Sequence, residues 1–231
     1  MNIKFDENNK IGDIVTQFPL ASDVFYNYNI DFCCGGNRPL IEAIKEQKLD
    51  KERVIDELNN KFEIFNERNN EFVDWAKEEP GKLIDYIVSN YHASLKEELP
   101  KISDYVFKIL KVHGKHHKEL FKVHKLFNAL RTELEEHLVK EEEFVFPLIK
   151  QYEVEKDLDV KNKVLKLIDE LEQEHTGAGD IIKELREVTD HYKTPADGCR
   201  TFEETYRKLK KVEVQLFEHI HLENNILFKK F

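Results

Sequence analysis

The chain has 231 residues, of which 40% are hydrophobic and 35% charged, and a formal net charge of −10. That acidity, with no long basic block, removes the electrostatic case for nucleic-acid binding. No apolar run approaches membrane-spanning length. Three cysteines, two of them adjacent, do not make a secreted disulfide framework. The first ten residues, MNIKFDENNK, lack the apolar stretch of a secretory signal, so the reading is a soluble cytoplasmic protein.

Residues 1–62 read as a small helical domain. Ile11, Ile14, Val15 and Phe18 form a short amphipathic turn series that stops at Pro19, and Val24, Phe25 and Tyr28 form a second. Asp31-Phe32-Cys33-Cys34-Gly35-Gly36 reads as a tight loop. Pro39 starts a third helix, and Asp50 is placed to cap a fourth that carries Val54, Ile55, Leu58 and Phe62. Residues 63–80 are polar and irregular and read as a linker, with a turn near Phe72 and Trp75.

From residue 81 to 231 the period is helical. The first long helix carries Ile84, Val88, His92, Leu95, Leu99, Ile102, Val106 and Ile109, with a kink expected at Pro100. The second carries Leu126, Leu130, Leu134, His137, Glu141 and Val145 and bends at Pro147. The third has the cleanest stripe: Val164, Ile168, Leu171, His175, Ala178, Ile182 and Leu185. The fourth is expected to begin near Pro195 and carries Leu209, Val212, Leu216, His219, Glu223 and Ile226. Long helices with short connections predict an all-α fold, an up-down-up-down four-helix bundle preceded by the small helical domain.

Histidines and carboxylates sit on those apolar stripes. His137-x-x-x-Glu141 and His219-x-x-x-Glu223 each place an imidazole and a carboxylate on one helix face. With His92 and His175 they can converge at one level of a bundle core. Burying them together is costly unless metal ions compensate them. Nitrogen and oxygen donors suit Fe, Mn or Zn. Glu141 and Glu223, on different helices, are the natural bridges between two metals. One arrangement puts His92 and His219 on one metal and His137 and His175 on the other, though a bundle permits other pairings. Six protein ligands leave positions for an oxo or hydroxo bridge and a small exogenous molecule. Glu133, one turn before His137, is a candidate to orient that ring. Gly177, Ala178 and Gly179 thin the face beside His175.

Other polar residues read more plainly. Glu142 and Glu143 belong to a solvated face. His113 and His117 flank Gly114 at a helix junction and read as a surface turn rather than a second metal site. His221, about 200° around the helix from His219, should face outward. His124 and His191 have no evident partner, and Cys199 reads as structural. For Cys33 and Cys34 two readings stand side by side: packing residues in a reducing compartment, or a redox or iron-handling loop.

His137-Leu-Val-Lys-Glu141-Glu142, Glu174-His175 with the small residues after it, and His219-Ile-His221-Leu-Glu223-Asn224-Asn225 resemble the hemerythrin-like domain of the di-iron repair-of-iron-centres family, the iron–sulfur cluster repair proteins. The Asp31–Gly36 loop resembles that family's N-terminal signature, so the likeness spans nearly the whole chain. It implies a non-haem centre of two iron ions held by four histidines and two bridging glutamates. It implies repair of clusters damaged by oxidative or nitrosative stress, through iron donation or nitric oxide handling, with damaged iron–sulfur proteins as partners. Oxygen-carrying hemerythrins have a further histidine where Gly179 stands here, and a His-x4-Asp where this chain has His219-x-x-x-Glu223. One nitrogen ligand fewer predicts a more open, labile centre. Two alternatives remain: an oxygen- or nitric-oxide-binding sensor, and an enzyme that reduces nitric oxide. A homodimer through the N-terminal domain is also expected.

Overall fold

The computed structural model describes residues 4–67 and 72–231. Within them the chain is helical, and its only β feature is an isolated bridge between Lys10 and Pro39. Two compact units form: residues 1–83 with 217–231, and residues 84–216.

In the first unit four helices run in order: α1 (Ile11–Gln17), α2 (Ala21–Asn27), α3 (Leu40–Glu46) and α4 (Lys51–Glu67). The expected apolar positions Ile11, Ile14, Val15, Phe18, Val24, Phe25, Val54 and Leu58 are all buried. Asp50 caps α4 by accepting the Arg53 N–H at 3.2 Å. α4 runs through residues 63–67, which the sequence pattern assigned to a linker. The reason is aromatic packing at its end. Phe18 lies edge-on to Phe62 and Phe65, each at 5.4 Å between centroids, and holds the last turns in place. Of the remaining linker residues, Asn69 and Asn70 lie outside the described ones, and residues 75–77 form a turn.

The second unit is the bundle. α5 (Pro80–Ile87) leads through a π-helical segment, π1 (Val88–His92), into α6 (Ala93–His113). α7 (Glu119–Lys140) passes through π2 (Glu141–Val145) into α8 (Phe146–Glu155). α9 (Leu158–Val188) follows, then α10 (Arg200–Leu222), which belongs to this unit as far as Leu216; its last residues, π3 (Glu223–Leu227) and a closing 3₁₀ turn belong to the first. Cross-links fix the antiparallel order. Lys96 near the start of α6 meets Glu142 just beyond α7, while Ser103 meets Asn128. Lys122 pairs with Glu184 and Lys140 with Glu170, so α7 and α9 run oppositely. Ser94 faces Gln215 and Glu98 faces Lys208, so α10 runs against α6.

Local chemistry sets the ends. Asp157 caps α9, accepting from Asp159 N at 2.7 Å and Val160 N at 3.3 Å. α9 ends in three consecutive left-handed residues, Asp190, His191 and Tyr192, at φ 48°, 57° and 61°. Each costs roughly 1–2 kcal/mol in a non-glycine residue. Thr189 stabilises the turn by accepting Tyr192 N at 3.0 Å. That turn delays the last helix, which starts at Arg200 rather than near Pro195; Pro195 instead accepts from Gly198 N in the preceding turn. α6 continues through Pro100. Pro147 falls in the first turn of α8, where the missing N–H costs least.

Candidate metal centre

Three π segments interrupt the helices, and each has a candidate ligand at its edge: His92 closes π1, Glu141 opens π2 and Glu223 opens π3. A π turn carries an extra residue per turn and is frequent at functional sites. All six candidates are buried: His92, Glu141, His219 and Glu223 at 0%, His175 at 2% and His137 at 6% exposure.

In the bundle unit, Glu141 presents one oxygen to each of two imidazoles. Its Oε2 lies 3.4 Å from His92 Nε2 and its Oε1 lies 3.3 Å from His137 Nε2. His175 Nε2 lies 3.0 Å from His137 Nε2, with the rings edge to face at 4.7 Å. His137, Glu141 and His175 thus each offer a ligand atom within 4.8 Å of the others. In the other unit, His219 Nε2 lies 3.0 Å from Glu223 Oε1, one turn along α10.

The outer nitrogens explain the inner ones. His92 Nδ1 is 2.8 Å from Glu142 Oε1, and His137 Nδ1 is 2.7 Å from Glu174 Oε2. An Nδ1–H donated to a carboxylate leaves the Nε2 lone pair facing inward, the arrangement that supports metal-binding histidines. The inward lone pairs of His92 and His137, facing the Glu141 carboxylate, repel it unless a cation stands between them. The donor set of imidazole nitrogen and carboxylate oxygen, without nearby thiolate, therefore fits iron, manganese or zinc.

The outer carboxylates are held ionised. The hydrogen bond from His137 lowers Glu174 to about 2 against the opposing effect of burial, and Lys140 adds to it. Burial pushes Glu142 up, but bonds from Lys96 and His92 outweigh it and leave the carboxyl below its ordinary value. Glu142 is therefore no solvated face residue. It backs His92 and lines an open cleft of about 470 Å³ with Ser89, Phe146 and Lys150. Glu133 is exposed, and the carboxylate behind His137 belongs to Glu174 instead, because the ring leans towards α9 rather than back along its own helix. The Glu174-His175 pair was the available signal for this.

Further expectations change with the structure. His221 is buried at 4%, with its ring 6.0 Å from Phe32. Burial pushes that imidazole down to about 4, against the upward pull of the Phe32 carbonyl. Gly177 is exposed with open space around it, so Ala178 and Gly179 alone form the thin face beside His175. Cys199 is exposed and not a packing residue; His113 Nε2 lies 3.2 Å from its Sγ. His117 reaches Glu119 at 2.8 Å and Asp197 at 3.1 Å. His124 lies 6.1 Å from the Phe107 ring.

The cysteine loop belongs to the first unit. Asp31 Oδ1 accepts the N–H groups of Cys33, Cys34 and Gly35 at 3.2, 3.0 and 3.1 Å. The Cys33 thiol donates to the same oxygen at 3.3 Å, and the two sulfurs stand 3.8 Å apart as free thiols. The three ligand-type side chains of Asp31, Cys33 and Cys34 also lie within 4.8 Å of one another.

A helical bundle that buries imidazoles against carboxylates in this way is a hemerythrin-like metal-binding protein. Residues 83–231 match the family model described as the hemerythrin HHE cation binding domain, and residues 7–61 match one described as a domain of unknown function (DUF542). The chain is 37% identical to the iron-sulfur cluster repair protein ScdA of Staphylococcus haemolyticus, over 96% of this chain and 96% of that one. It is 32% identical to the iron-sulfur cluster repair protein YtfE of Enterobacter sp. strain 638, over 95% of this chain and 94% of the relative. The chain belongs to this two-domain family, whose curated members carry the name iron–sulfur cluster repair protein. No helix among the described residues is long and apolar enough to cross a membrane.

Proposed function

We propose that this protein holds two iron ions and uses them in the repair of iron–sulfur clusters damaged by oxidative or nitrosative stress, with the damaged proteins as its partners. The residues that would hold them are His92, His137, Glu141, His175, His219 and Glu223. The observation that carries the reading is the orientation of His92 and His137. Both rings give Nδ1 to a carboxylate and turn Nε2 towards the two oxygens of Glu141. The names of the full-length relatives support the repair role.

When bound, the iron pair supplies exchangeable metal and redox chemistry towards small diatomic molecules. The chain's own contribution is to hold the imidazoles in one tautomer, exclude water and keep the outer carboxylates charged. With Gly179 where a further imidazole could stand, the iron is held by one nitrogen fewer, which favours release to an acceptor.

The test is metal analysis of the purified protein, then iron transfer to an apo-cluster acceptor under reducing conditions. About two irons per chain are expected, with loss in His137→Ala and in Glu223→Ala. Those variants should also melt lower than the loaded protein, because metal binding at such a site contributes folding free energy. Full iron content in both variants would overturn the ligand set. Intact loading without any transfer, alongside turnover of nitric oxide with a supplied reductant, would favour a reductase over a donor.

A further inference from the structure

The C-terminal segment of the first unit presents two faces. His219 and Glu223 occupy one. Phe217, His221 and Asn225, also four residues apart, occupy another and meet the cysteine loop. Phe32 lies edge-on to Phe217 at 6.1 Å and 6.0 Å from the His221 ring. Asn225, 5% exposed, donates its amide to the carbonyls of Phe32 at 3.2 Å and Cys33 at 2.8 Å. Its Oδ1 fills the space beside Gly12 and Gly36, where an added Cβ would stand 2.3 and 2.4 Å from that oxygen. No glycine among the described residues has positive φ, so these two serve close approach rather than an unusual turn.

We propose that Asn225 is the positioning residue of the Cys33–Cys34 loop, presenting the Cys34 thiol to soft electrophiles while holding Cys33 in reserve. The loop's two sulfurs already differ. Cys33 is buried at 1% and donates to Asp31, whereas Cys34 is half-buried. Burial pushes the Cys33 thiol well up, and neighbouring Cys34 and Asp31 add to it. A buried, protonated thiol is inert, and an accessible one reacts. Asp31 gathers the loop's N–H groups from one side, and Asn225 takes two of its carbonyls from the other. Fastened at both sides, the backbone cannot roll to exchange one sulfur for the other. An asparagine suits the place because it offers two donors and an acceptor on a short stem.

The experiment is a timed reaction of the reduced full chain with iodoacetamide, read cysteine by cysteine from peptide masses. Cys34 should react at least tenfold faster than Cys33. Asn225→Asp keeps the size but removes the donors; Cys33 should then accelerate at least tenfold and the ratio should collapse. Leu58→Ala, a buried substitution in α4, which supplies none of the loop contacts named above, controls for general loosening of this unit and should preserve the ratio. Equal rates in the unaltered protein, an unaltered ratio in Asn225→Asp, or an equal collapse in Leu58→Ala would each overturn the proposal. The readout is the thiols alone. Failure to bind iron would sink the function proposed above and leave this inference standing.

Discussion

Glu174 and His137, on neighbouring antiparallel helices, meet at 2.7 Å between Oε2 and Nδ1, and His137 turns its other nitrogen to Glu141. The contact fixes the tautomer before any metal arrives. Glu174→Gln keeps an acceptor but removes the charge. Losses of about 10–100-fold in metal affinity are typical for such outer partners. Chelator competition should show a loss in that range with the metal-free melting point little changed. Undiminished affinity would remove Glu174 from this role.

Glu98 joins α6 to α10. It accepts from Lys208 at 2.9 Å and from Lys101 at 3.1 Å, and these bonds, Lys208 first, lower its carboxyl from 4.5 to about 2. Because the folded value lies below the unfolded one, the stabilisation is fully present above about pH 4.5 and disappears as pH falls towards 2. Its size should be on the order of 1 kcal/mol, given the partial exposure of the group. Glu98→Gln should flatten the stability curve in that acid window. A curve identical to that of the unaltered protein would contradict the assignment.

Cys199 should be more acidic than an ordinary thiol. The hydrogen bond with His113, helped by the backbone N–H groups of Phe202 and Thr201 at the start of α10, lowers it from 9.0 to about 7. Its alkylation rate should rise through a midpoint near 7, and His113→Gln should move that midpoint towards 9. An unchanged midpoint would show that the imidazole contributes nothing.

Arg186 and Glu213 form a buried ion pair between α9 and α10, with Glu213 wholly enclosed and Arg186 Nε 2.7 Å from its Oε1. Arg186→Met leaves the carboxylate buried without its cation, at a cost of about 3–5 kcal/mol. Denaturant titration of the metal-free chain measures it. A loss below 1 kcal/mol would mean that water or another group compensates Glu213.

The apolar stripes, the order of the helices and the burial of the six His and Glu candidates were legible because 3.6-residue periodicity reports which face is enclosed. The π segments were not, since one extra residue in a turn leaves no compositional mark. His221 was misread for a related reason. Counting degrees from His219 correctly separates the two rings, but says nothing of Phe32, almost two hundred positions earlier, which covers the opposite face. Glu142 likewise looked solvated beside Glu143, until Lys96 and His92 from another helix met it. The late start of α10 followed from three consecutive left-handed residues; Asp and His adopt that conformation more readily than most, but as single residues, so a run of three has no mark in the sequence.

The first unit is assembled from the two extremes of the chain, residues 1–83 and 217–231. During synthesis the cysteine-bearing part leaves the ribosome early, while Asn225 and His221 emerge only after the intervening 133 residues have been made. Contacts so distant in sequence form late. A nascent polypeptide would therefore carry both sulfurs without the clasp that tells them apart, and would be most vulnerable to oxidation until Asn225 has been added.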